Sequence, residues 1–137
     1  MINALILAAQ CGVDVRIITP AVPDKRIVYA LTKANYAQLL TNGVRIFEYL
    51  PGFIHSKMFI SDDQRAIVGT TNMDFRSFFL HFESGSVFYG GSTVSSVKAD
   101  FLETFELCKE VSLSSMKKRS WTMKLTGQVA KLVAPML

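Results

Sequence analysis

From Met58 to Gly69 the chain reads MFISDDQRAIVG, two short apolar runs on either side of Asp62-Asp63-Gln64. A cluster of this kind is a turn signal, so the segment predicts an antiparallel hairpin folded about residue 63. Paired positions in it have numbers summing to about 126 or 127. A strand sends alternate side chains to one face, which sets His55 and Lys57 on the same side. The pairing places His55 opposite Thr71 or Asn72. An imidazole, an ammonium and a carboxamide are thereby expected at one spot, which Gly69 leaves uncrowded.

That set suits a phosphodiester. An imidazole can attack phosphorus or move a proton. Lys57 brings a point charge, and Asn72 brings N–H donors, for non-bridging oxygens that gain negative charge in the transition state. The competing reading is a surface hairpin that carries His and Lys by accident. With each fixed residue near its average usage, this spacing arises by chance on the order of once in 10⁷ starting positions.

The spacing His55-x-Lys57-x4-Asp62-x6-Gly69-Thr70-x-Asn72 resembles the signature of the phospholipase D superfamily. The stretches PGFIHSK, VGTTNMDFRS and LHFESG are similar to the second half of bacterial cardiolipin synthases, and the likeness runs along nearly the whole chain. It implies a phospholipase D-like half-domain of α/β class, a mixed β-sheet between layers of helices. It also implies a covalent phosphohistidine, with one motif histidine as nucleophile and a second, from another motif, protonating the leaving group. Glu83 matches the carboxylate that orients the histidine in such enzymes, as His–carboxylate pairs do elsewhere. Asp74, Arg76 and Ser77 belong to the motif's extension, implied to lie beside the site. Asp74 and Arg76 could pair with each other or brace the loop; Ser77 could bond phosphate or cap backbone. Asp62 falls at the turn, where holding it through backbone N–H groups is the expected role.

The implied activity is phosphatidyl transfer between two phosphatidylglycerol molecules, giving cardiolipin and glycerol without metal or soluble cofactor. It demands two motifs facing across a two-fold or pseudo-two-fold axis. This chain carries one, so the expected partner is a second motif-bearing half, either another copy or an amino-terminal half beyond this sequence. The chain starts where the second half of such a synthase starts, as a fragment would. The alternatives are a homodimeric single-motif phosphodiesterase (a phospholipase D or a nuclease) and an inactive fragment that binds anionic membrane.

The remainder of the chain supplies the frame. Helices are predicted over 2–11, 26–41 and from Thr93 or Ser95 to about Glu110; strands over 13–19, 44–50 and 84–91. This αβαβ order argues for a sheet covered by helices. With 137 residues, half of them apolar, the chain can bury a core of its own. Residues 1–110 form the expected catalytic half-domain. Cys11 and Cys108 lack metal or disulfide spacing, and Cys11 is expected buried in its helix. Phe78, Phe79 and Phe82 are expected to pack, or else to line an acyl-chain channel, and His81 to be structural. Lys25 and Arg26 are expected at the surface.

The charge is uneven. Residues 111–137 contain Lys117, Lys118, Arg119, Lys124 and Lys131 and no acid, a charge of +5, while residues 1–110 sum to −1. A helix there would align Trp121, Leu125, Val129, Leu132 and Met136 as one stripe with lysines on its flank. That segment is either packed on the sheet with a wet edge or laid on anionic lipid. No window reaches the roughly 18 apolar residues of a spanning helix, so the expected location is peripheral on the cytoplasmic membrane. Cations gathered in the tail, rather than around His55, count against nucleic acid as a partner.

Overall fold

The hairpin forms in the predicted register. Strand β3 (Met58–Ser61) pairs antiparallel with β4 (Arg65–Gly69), Met58 opposite Val68 and Ser61 opposite Arg65, every pair summing to 126. The structure, a computed structural model, describes residues 1–22 and 25–117, without the side chains of Arg26, Ile27 and Lys117. Of the basic segment expected over 111–137, residues 118–137 therefore lie outside the described residues, as does the Arg26 side chain; Lys25 is exposed.

The described chain divides into two compact units, Met1–Ile54 with the residues from Cys108 onward, and His55–Leu107. In the first, β1 (Arg16–Pro20) runs parallel to β2 (Arg45–Tyr49), and β6 (Cys108–Glu110) pairs antiparallel on the other side of β2. Helix α1 (Ile2–Gln10), helix α2 (Arg26–Thr41) and the short α5 (Leu113–Lys117) belong to this unit. Its core is Tyr36, Leu39, Val44 and Ile46, with Ile2, Leu5, Ile6 and Ile17 packed around them. Helix α2 ends at Asn42-Gly43, where Gly43 takes a φ of 87° that favours glycine. One polar feature crosses the core. Lys33 of α2, 7% exposed, forms an ion pair with Glu48 of β2 and lies over the rings of Tyr29 and Tyr36.

In the second unit β4 pairs with β3 and with β5 (Gly85–Tyr89), and α4 (Gly91–Glu106) covers one face of this sheet. Ala66, Val94 and Val97 are buried between them, with Met58, Ile60, Phe88 and Phe101 alongside. The α/β class is as expected, with the strands shared between two three-stranded sheets.

Several boundaries differ from expectation for physical reasons. The last long helix starts at Gly91 behind an N-cap Gly90, and stops at Glu106. Residues 108–110 then extend because Phe47, Glu48 and Tyr49 offer them a strand edge, a tertiary effect that overrides the helical spacing of Leu107-Cys108. Cys11 is exposed, since α1 has no buried residues; Cys108 is half-buried, which raises its thiol pKa. Phe78, Phe79 and Phe82, expected to pack, are exposed to 47%, 73% and 108%.

A candidate phosphoryl-transfer site

All the motif residues fall in the unit His55–Leu107. The turn between β3 and β4 comes first. Asp62 and Asp63 have φ values of 54° and 56°, and Gln64 N–H donates to the Ser61 carbonyl at 3.1 Å, the pattern of a type I′ hairpin turn. The expected bonds from backbone N–H groups to Asp62 are replaced by the Ser61 hydroxyl, which donates to Asp62 Oδ2 at 2.9 Å. Asp63 is tied to Lys98 of α4 by an ion pair. This turn is a structural device, as Asp62's place in the sequence implied.

At the other end of the hairpin, Gly69 N–H donates to the Lys57 carbonyl at 3.1 Å, and there the ladder stops. His55 precedes β3 and sits exposed in extended chain, and Asn72 follows β4, also exposed. The strand pairing therefore does not itself set His55 against Asn72, as the simple hairpin predicted. Lys57 turns back, its Nζ donating to the His55 carbonyl at 2.8 Å. The Asn72 carboxamide makes no hydrogen bond among the described residues; its backbone N–H donates to the Ser77 hydroxyl at 3.2 Å.

Gly69 acts by permitting contact. A Cβ there would stand 2.5 Å from the Ser84 carbonyl oxygen and 2.8 Å from Gly85 Cα. The start of β5 thus lies directly on the end of β4, and this brings Glu83 to Thr70. Thr70 N–H donates to the Ser84 carbonyl at 2.9 Å, Ser84 N–H donates to the Thr70 hydroxyl at 3.0 Å, and that hydroxyl donates to Glu83 Oε2 at 2.5 Å. Ser77, 7% exposed, is near enough for its hydroxyl to help lower the Glu83 pKa.

Helix α3 (Phe75–Phe79) exists to place Ser77. Asp74 is its N-cap, with Oδ1 accepting from Ser77 N–H at 2.8 Å. Of the two roles open to Asp74 and Arg76, pairing with each other or bracing the loop, the contacts are of the second kind: Asp74 caps α3 and Arg76 meets His81 Nε2 at 3.0 Å.

Glu83 is the electrostatic centre of the cluster. Hydrogen bonds from Thr70, then from Ser77, with smaller help from the charges of His81 and Lys57, hold its carboxyl below the ordinary value of 4.5. No hydrogen bond runs from Glu83 to His55 among the described residues. An ionised carboxylate has about four acceptor positions, so the Thr70 hydroxyl leaves room for an imidazole N–H. Hydrogen bonds join Asn72, Asp74 and Ser77 in one group and Thr70, Glu83 and Ser84 in another, with Lys57 in the field of Glu83 and Arg76 on His81. The Lys33–Glu48 pair was missed, although Tyr29, Lys33, Tyr36 and Leu40 follow helical spacing and set a lysine inside an apolar stripe.

Comparison with known proteins identifies the family. Residues 1–105 match the model of the family described as cardiolipin synthase, PLD-like domain. A cardiolipin synthase of Halalkalibacterium halodurans is 37% identical over all 137 residues, and cardiolipin synthase 1 of Staphylococcus aureus (strain COL) is 40% identical over 136. An uncharacterised protein of Streptococcus mutans is 47% identical over the whole chain. The chain spans 27%, 28% and 30% of these three relatives respectively. With the family match covering residues 1–105 of its 137, the chain belongs to the phospholipase D-like domain family of the cardiolipin synthases.

Proposed function

We propose that this chain carries one half of a phosphatidyl-transfer site that converts two phosphatidylglycerol molecules into cardiolipin and glycerol. A ring nitrogen of His55 attacks phosphorus, the P–O bond to glycerol breaks, and the leaving oxygen takes a proton from the imidazole of a second motif. A hydroxyl of the next phosphatidylglycerol then returns its proton to that imidazole while its oxygen attacks phosphorus. The N–P bond breaks and His55 is restored. Lys57 and Asn72 hold the non-bridging oxygens, and Glu83 accepts the other ring N–H of His55, fixing its tautomer. The partner imidazole comes from a second motif-bearing half, and the chain works at the surface of an anionic membrane. Among the described residues no helix is long and apolar enough to cross one.

The observation that carries this reading is the bonding of Glu83. The Thr70 hydroxyl, two residues from Asn72, donates to it and lowers its pKa, and one such bond leaves acceptor capacity for an imidazole N–H. The exposure of His55 and Asn72 favours a second reading, in which water takes the phosphatidyl group and phosphatidic acid results. Thin-layer separation of products from labelled phosphatidylglycerol tests both. Cardiolipin is the expected product, phosphatidic acid alone would establish hydrolysis, and equal turnover by His55→Ala would dismiss the site.

A further inference from the structure

We infer that the segment Phe75–Phe82 is a wedge that seats in the interface of an anionic phospholipid bilayer; what it delivers there rests on the transfer reading above. The segment reads FRSFFLHF, with four phenylalanines, a leucine and no acid. Phe82 is fully exposed, Phe79 is 73% and Leu80 59% exposed, and the rings of Phe75 and Phe79 stack at 4.8 Å on the surface of α3. The flanking acids are directed inward, Asp74 onto Ser77 N–H and Glu83 onto the Thr70 hydroxyl. What faces outward is therefore apolar rings with the Arg76 guanidinium and His81 among them. Apolar rings beside cations are the composition of an interfacial anchor.

Charge and size select a bilayer as the occupant. The chain's whole cationic surplus lies in residues 111–137, which suits a negatively charged lipid surface. A five-residue helix rises roughly 7–8 Å, close to the depth of about 5–10 Å at which interfacial elements sit. The wedge is also continuous with the site. Ser77 belongs to α3 and accepts from Asn72 N–H. Seating the rings brings Asn72 and Glu83 to the level of the headgroup phosphates.

Co-sedimentation of the full chain with phosphatidylcholine vesicles, with and without phosphatidylglycerol, tests this. Phe79→Ser and Phe82→Ser replace exposed rings and should leave thermal unfolding unchanged. Each is expected to weaken partition to phosphatidylglycerol vesicles about tenfold. The two changes should leave turnover of the water-soluble bis(p-nitrophenyl) phosphate intact, and His55→Ala should bind vesicles like the parent chain. Failure of the transfer reading would thus appear in His55→Ala turnover and failure of the wedge in partition alone. Partition of Phe79→Ser/Phe82→Ser within twofold of the parent would overturn the inference. So would conversion of a parent dimer to monomer by that pair without loss of lipid binding, which would make the patch a protein interface.

Discussion

Gly69 shows how little room the site leaves at single residues. Its backbone takes an ordinary φ, so the demand for glycine is steric: the Ser84 carbonyl occupies the place of a side chain. Gly69→Ala is expected to cost about 1–3 kcal/mol through backbone displacement, measured by denaturant unfolding. It should also loosen the contact of Thr70 with Glu83. Glu83 itself makes a pH prediction. Its folded pKa lies below 4.5, so the ionised form favours the folded chain. That stabilisation is complete above about pH 5 and is lost as pH falls through the depressed folded value. Thr70→Val removes the principal donor, so the Glu83 carboxyl should titrate nearer its ordinary value by NMR. The stability profiles of variant and parent should then converge at the acid end.

At the level of elements, the hairpin was legible because its determinants are local. Two aspartates tolerate positive φ, and the apolar runs on either side leave one pairing register. Helix α2 was legible to its ends for the same kind of reason, with Asn42-Gly43 closing it. Strand β6 was not, because three residues form a strand only against an edge supplied by β2 from distant sequence. Phe78 and Phe79 of α3 and Phe82 beyond it, expected to pack, are exposed instead, because hydrophobicity alone does not say whether a side chain meets a core. In the site, the spacing of the motif is legible as sequence. Ser77 was open between bonding phosphate and capping backbone; its hydroxyl accepts from Asn72 N–H, at a place set by the Asp74 cap. Asp74→Ala should cost about 1 kcal/mol and raise the Glu83 pKa as Ser77 loosens. Between α2 and β2, Lys33→Ala would strand Glu48 in the interior at a cost of about 3–5 kcal/mol. Lys33→Met with Glu48→Leu should cost less than that single change, a non-additivity visible in denaturant midpoints.

For the whole molecule the question is how one motif supplies two imidazoles. The chain spans less than a third of its curated relatives' length, and the proposed chemistry calls for a second motif-bearing half. If two copies supply both rings, mixing parent chain with equal His55→Ala leaves only a quarter of pairs intact. Activity should then fall to about one quarter, where independent sites would keep about one half. The most direct test of the central claim is mass spectrometry of the chain quenched in alkali during turnover of phosphatidylglycerol. An acid-labile phosphatidyl adduct on the peptide carrying His55 is the predicted result. Product formation with His55 unmodified throughout would contradict it.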